Sequence, residues 1–248
     1  MSDDPLYVGV HWAGDGWVAV AFDRTAFDHA AVFDGVGGAW HRYEETAERL
    51  LVDVPIGLVE EGDRTRRCDD MARELLGDRG SAVVRPPVRA ATRRRRYPAA
   101  KRVSERKGGT DLSRAAFELS DGIAPVDELL QNVPEARPVV AGSHPAVCFR
   151  AFAGEPLAHD RDRAAGYAER MRALATFDRD APPAVQAAAE ATAGHAVTVA
   201  DVLDATALAY TARPGPGSLR SLPPDPPTDP EGLPMRIVYR AEQPPGGA

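Results

Sequence analysis

Lysine is nearly missing from this chain. Of 30 basic residues only Lys101 and Lys107 are lysines, and the rest are arginines. On an acidic chain that bias fits a GC-rich coding sequence and says little about function. Cysteine is scarce as well. Cys68 and Cys148 stand alone, with no C-x-x-C pair. A disulfide-stapled scaffold and a zinc ribbon are thereby excluded, and two unpaired structural thiols are expected. No apolar run approaches the ~18 residues that a membrane span requires. The start, Met-Ser-Asp-Asp-Pro, is acidic and lacks the basic-then-apolar order of a secretory signal, so a cytoplasmic protein is expected. A phosphate-binding P-loop, a Rossmann glycine pattern, a zinc signature and a serine-nucleophile elbow are also absent.

What is present suits a globular protein. The 248 residues, 44 % of them hydrophobic, allow one large domain or two small ones. The net charge of −7 is unevenly spread. Arg85 to Lys107 holds ten basic residues and one acid, a local +9 that leaves −16 on the remainder. Excess negative charge favours solubility, and salt screens its cost to the fold.

Leu6–Ala13 and Gly16–Phe22 read as two strands of a hairpin joined through Gly14-Asp15-Gly16, with His29–Phe33 as a third strand. Trp40–Arg49 has polar helical character. Leu50–Leu58 reads as a buried, parallel strand carrying one acid, Asp53. Asp63–Leu76 predicts a helix closed by Gly77. Arg85–Gly109, rich in proline and arginine, shows no period and predicts a long loop or a poorly packed excursion. Leu112–Gln131 is helical with a break or kink at Pro125. Arg137–Gly142 is another short buried strand, and His144–Phe152 leads out of it. Asp160–Phe177, Ala184–Ala193 and Thr198–Ala212 predict helices, the last apolar at Val199, Val202, Leu203 and Leu208. After a proline-rich stretch from Pro214 to Pro234, Met235–Tyr239 predicts a last strand, and Ala241–Ala248 a disordered tail. Strands followed by alternating helices and strands predict an α/β protein, a mixed sheet with helices on both faces.

Few residues are placed for chemistry. Asp53 ends an apolar strand, and burying a carboxylate is costly unless it is paired or metal-bound. There it faces the ligand crevice of a sheet edge, or else caps the turn at Pro55-Ile56-Gly57. Asp201 and Asp204 share one helix face, where they repel unless a cation, most simply divalent Mn²⁺ or Mg²⁺, sits between them. Thr198-x-x-Asp201 also matches a capping box, whereas Asp204 lies past the cap and is the better functional candidate. His144, at a strand end before Pro145, reads equally as a ligand or acid–base group and as a histidine satisfied by backbone. Arg93, Arg94, Arg95 and Arg96, with Tyr97 beside them, would contact phosphates and stack a base, or else form a solvated loop.

Taken together, the chain resembles the domain-of-unknown-function family numbered 429, described as predicted nucleases of RNase H-like fold. The resemblance runs through Gly9-Val-His-Trp-Ala13, Val52-Asp-Val-Pro-Ile-Gly-Leu58, Cys68-Asp-x-x-Ala-Arg73, Leu75-Leu-Gly-x-Arg79, Pro86-Pro-x-Arg89, Val126-Asp-Glu-Leu129, His144-Pro-x-Val-Cys-Phe149, Leu203-Asp-Ala205 and Gly232-Leu-Pro-Met-x-Ile-Val-Tyr239. It implies a single RNase H-like domain over residues 1–240, with the basic segment near 85–109 as an insertion. It also implies metal-dependent phosphodiester hydrolysis, in which acids of the first strand, the fourth strand and a late helix hold two divalent ions. By position the fourth-strand acid is Asp53, and the helix acids are Asp204 and Asp201. The first-strand position carries His11 where the family pattern has aspartate. Gly142 and Ala146 stand where it has two further acids. Histidine brings no negative charge and suits Mg²⁺ poorly. The expectation is therefore an attenuated or metal-altered nuclease with His11, Asp53 and Asp204 as ligands. The alternative is an inactive paralogue that binds nucleic acid. An actin-like phosphotransferase shares the opening hairpin but would need a second glycine-rich phosphate loop.

Overall fold

The computed structural model describes residues 4–62, 65–109 and 111–244. The hairpin forms as expected. Strand β1 (Leu6–Trp12) pairs antiparallel with β2 (Trp17–Phe22), and β2 with β3 (Phe27–Phe33). The turn closes with the Ala13 amide donating to the Gly16 carbonyl at 2.9 Å, and Gly14 takes φ +99°, which a side chain would disfavour. Helix α1 (Val36–Tyr43) precedes β4 (Ala47–Val52). The helix thus comes earlier than Trp40–Arg49 predicted, and part of that window is strand. The outer half of β4 is polar, with Glu48 accepting from the Tyr7 hydroxyl at 2.8 Å, so its alternation is masked in the sequence.

Helix α2 (Arg67–Leu76) ends at Gly77 as expected, while residues 63–64 of the predicted span lie outside the described residues. The basic segment is not a loose excursion. It folds into α3 (Arg89–Thr92) and α4 (Tyr97–Gly108), and with α5 (Arg114–Glu118) it buries Val88, Ala91, Ala100, Val103, Leu112 and Ala116 together. Its apolar residues are small and spaced between arginines, which hides the helical period. The break in the next helical stretch falls at Leu119, and Pro125 sits inside α6 (Ser120–Asn132).

Strand β5 (Val140–Gly142) leads through His144 into α7 (Pro145–Ala153). Three further helices follow, α8 (Ala164–Phe177), α9 (Ala181–Ala191) and α10 (Val199–Ala212). Strands β6 (Ser218–Leu222) and β7 (Ile237–Ala241) pair as a separate ribbon. β6 lies within the proline-rich stretch, and Ala241 belongs to β7 rather than to a tail. Residues 245–248 lie outside the described residues.

The main sheet has the order β3-β2-β1-β4-β5, with β4 and β5 parallel to β1. It is a mixed α/β sheet consistent with an RNase H-like fold. Strand alternation decides which residue meets which layer. Tyr7, Val18, Val20, Phe22 and Leu51 face α7 to α10. Val8, Val10, Trp17, Leu50 and Val52 face α1 and α6. α10 is buried on every side from Ala200 to Ala212, and only Val199, predicted as apolar face, is left 48 % exposed at its start. Both cysteines are free and buried.

Candidate functional site

The parity of β1 and β4 builds the site. His11 shares the face of Tyr7 and Gly9, and Asp53 the face of Leu51, so both turn toward α10 at the carboxyl edge of the sheet. The register pairs Val10 with Val52, which brings the next residues of the two strands side by side. His11 Nδ1 bonds directly to Asp53 Oδ2, and Asp53 Oδ1 accepts from the Trp12 amide at 2.9 Å. Asp53 is therefore committed to holding β1 rather than to capping the turn after it.

From above, α10 supplies Asp201 and Asp204. Asp201 completes the capping box, its Oδ2 accepting from the Thr198 amide at 2.9 Å and the Thr198 hydroxyl at 2.7 Å. Its other oxygen, Oδ1, meets His11 Nε2 at 3.1 Å and also the Arg161 guanidinium. Arg161 Nη1 reaches Asp204 Oδ2 at 2.9 Å. Two cations thus lie among three carboxylates. Asp201, which the sequence assigned chiefly to capping, touches both cations, and Asp204 touches one.

The electrostatics follow from this arrangement. Burial disfavours a charged imidazole, but the facing carboxylates of Asp53, Asp201 and Asp204 outweigh it and push His11 up to about 10. At neutral pH His11 is a cation that is only 4 % exposed. Burial works against ionised Asp201 too, yet His11 and Thr198 hold its carboxyl far below the usual range. Burial pushes Asp204 upward, against the pull of His11 and Arg161.

His144 is the N-cap of α7, its Nδ1 accepting from the Ala146 amide at 3.2 Å. Burial holds its imidazole below the ordinary value, so it is neutral. Of its two sequence readings, the backbone-satisfied one describes its contacts, although it still faces the site cavity. Arg93, Arg94, Arg95 and Arg96 are exposed, on the turn between α3 and α4. Arg93 approaches Asp127 at 3.6 Å, while the other three make no ion pair among the described residues. Tyr97 is not a free stacking platform. Its ring lies under the Arg114 guanidinium at 4.4 Å and against Phe117, and its hydroxyl donates to the Leu112 carbonyl.

Sequence reasoning missed the arginines. Arg161 sits in His159-Asp-Arg-Asp-Arg163, which reads as a solvated run, and Arg170 on a helix without strong amphipathy. Arg66 pairs with Asp69 at 2.7 Å, both buried. Arg236 did carry a signal, as a lone cation inside the apolar run Met235–Tyr239. All four line one cavity of about 320 Å³, together with His11, Asp53 and Asp204. Gly142 and Ala146 line it too and add no charge.

The donor set does not fit a divalent centre. Both ring nitrogens of His11 are engaged by carboxylates, and Arg161 occupies the space between Asp201 and Asp204. Among the described residues no group of three or more His, Cys, Asp or Glu side chains is arranged to hold a metal ion.

The strand order, with a histidine of β1, a carboxylate at the end of β4 and two carboxylates of a late helix brought together, places the protein among mixed α/β folds consistent with the RNase H-like class. The family model described as "Protein of unknown function (DUF429)" matches residues 9–228, and the chain belongs to that family. No curated protein and no solved structure matches the chain. No helix among the described residues is long and apolar enough to cross a membrane.

Proposed function

We propose that this family member binds nucleic acid and has lost metal-assisted phosphodiester hydrolysis at the sheet edge. The observation that carries this reading is His11, a buried cation bonded to Asp53 on one side and Asp201 on the other. A two-metal site works by concentrating negative charge that the ions neutralise. Here His11 and Arg161 neutralise the same carboxylates from within, and a divalent ion would have to displace both. Support for nucleic acid as the partner comes from Arg94, Arg95 and Arg96, exposed side by side on an acidic protein with no carboxylate among the described residues paired to them.

The test is fluorescence anisotropy with a labelled single-stranded oligonucleotide over a salt series, beside calorimetric titration of Mn²⁺ and Mg²⁺. Binding should weaken with salt. Replacing Arg94, Arg95 and Arg96 with alanine should lower the slope of log K against log salt by about 2, near 0.7 per phosphate contact. No heat of metal binding is expected for the wild type. Mn²⁺-dependent cleavage of the oligonucleotide that disappears in Asp204→Ala would overturn the proposal in favour of an attenuated nuclease.

A further inference from the structure

A second group of arginines gathers around the β6–β7 ribbon. Arg49 stands opposite Tyr7 in the register and projects from the Tyr7 and Leu51 face of β4. Arg236 immediately precedes β7, and Arg240 lies on it. Arg49 and Arg236 line one cavity of about 330 Å³, with Arg220 of β6 also in its wall and no Asp or Glu among its described lining residues. The Arg236 side chain borders the His11 cavity as well. Its charge nevertheless belongs with Arg49. Burial first, and then the Arg49 charge, pull it below the ordinary arginine range, while none of Asp53, Asp69 and Asp204 across the His11 cavity pulls it back. Arg240 is lowered in the same way, by burial and then by Arg49. Arg49 is thus a cation beside two others. The side chains of Arg49 and Arg236 have no hydrogen bond or ion pair among the described residues, and Arg236 Nε is shut off from solvent. Arg240 donates only to the carbonyls of Thr211 and Gly217, at 3.1 and 3.0 Å, and Arg220 only to those of Ala241 and Glu242, at 3.2 and 2.9 Å. Neighbouring like charges repel, and a buried donor without an acceptor is costly. In a chain of net charge −7 acids were not in short supply.

We propose that the cavity between Arg49 and Arg236 binds a phosphate dianion, either the free ion or the phosphoryl group of a small monoester. Two neighbouring guanidiniums call for about two negative charges, and a phosphate monoester carries nearly that at neutral pH. Guanidinium forks also match phosphoryl oxygens two at a time. A carboxylate or a phosphodiester brings one charge and would leave half of the repulsion in place. The volume of about 330 Å³ lies at the lower end of small-ligand pockets. The other cavities lined by arginines lack this unbalanced pair. Around His11, Arg66 has Asp69, Arg161 has Asp201 and Asp204, and Arg170 feels Asp204 and Glu169. In the cavity of about 440 Å³, Arg85 has Asp70 at 2.7 Å and Arg73 has the Val83 carbonyl at 2.9 Å. The proposal is independent of the nucleic-acid reading, which rests on Arg94, Arg95 and Arg96.

The experiment is calorimetry in phosphate-free, chelator-containing buffer, with inorganic phosphate, glycerol phosphate and nitrate as probes at matched ionic strength. At least one of the two phosphates should bind, and nitrate, a monoanion, should give no heat. Tighter binding of glycerol phosphate supports an ester as the source of the phosphoryl group, and tighter binding of inorganic phosphate supports the free ion. Arg49→Gln and Arg236→Gln should each weaken the bound phosphate by about tenfold or more, a change of roughly 1.4 kcal/mol. Unfolding midpoints recorded without ligand show that each variant folds, and either variant alone suffices for the test. Arg42→Gln, which removes one exposed charge from α1, should bind like the wild type. No heat with either phosphate, binding that survives both substitutions, or an equal loss in Arg42→Gln overturns the proposal.

Discussion

At the scale of single residues, His11 decides the character of the site. Removing one partner of a buried ion pair leaves the others uncompensated, at a cost of roughly 3–5 kcal/mol. His11→Gln should lose stability of that order in urea unfolding at neutral pH. The pH dependence has a definite sign. The folded-state value of about 10 lies above the ordinary 6.5, so the native state binds the proton more tightly. The stability gained is complete below pH 6.5, declines between 6.5 and about 10, and is gone above that. The wild-type urea midpoint should fall across this window, and the His11→Gln profile should lack that component. Identical profiles would mean that His11 is not charged in the folded protein. His11→Asp goes the other way. It places a fourth carboxylate in the cluster, so it should be unstable in chelator and recover on addition of Mn²⁺, read as a rise in thermal midpoint. Failure to recover would show that Arg161 alone keeps metal out.

At the scale of elements, β1 and α10 are the pair on which the site is hung. They approach so closely that a Cβ on Gly9 would lie 2.1 Å from the Ala205 carbonyl oxygen and 2.3 Å from the Ala209 amide. Backbone atoms cannot yield as a flexible side chain can. Gly9→Ala should therefore force the helix off the strand and destabilise the protein by more than about 4 kcal/mol, beyond the range of ordinary substitutions. It would also draw Asp201 away from His11. A mild loss in urea unfolding would contradict this close approach. The same packing explains why α10 carries small residues, Ala200, Ala205, Ala207, Ala209 and Ala212, among its larger ones. A helix buried on all sides needs no polar face, so its amphipathic signal is weak, and Val199, apolar in the sequence pattern, lies exposed at the start of the helix.

At the scale of the whole molecule, Arg89 ties the basic segment to the rest. Its guanidinium reaches Asp127 of α6 at 3.1 Å, Glu60 at 2.9 Å, and Asp229 ahead of β7. Asp229 in turn accepts from the Leu58 amide at 2.9 Å. Segments far apart in the chain meet at this one side chain, which is 5 % exposed. Arg89→Ala should cost about 3–5 kcal/mol and loosen the segment as a unit, read as faster amide exchange along α4. Unchanged exchange there would show that the small core of Val88, Ala100 and Val103 holds the segment by itself.

The sequence by itself determined the hairpin, the buried strands around Leu51 and Ala141, the α2 stop at Gly77 and the capping box at Thr198, because each depends on neighbours along the chain. It also marked Asp53, an acid ending an apolar stretch, and Asp201 with Asp204, two acids on one helix face, while His11 was marked only through the family resemblance. It missed α3 and α4, whose short apolar period is interrupted by arginines and whose core is completed by α5. Only the tertiary structure decided what the marked residues do. Whether three carboxylates await a metal or are already neutralised depends on where Arg161 lies and on what meets the two nitrogens of the His11 ring. Those contacts join residues 42 and 190 positions apart. Charge balance in a cavity is a property of what converges there, and no local pattern records it.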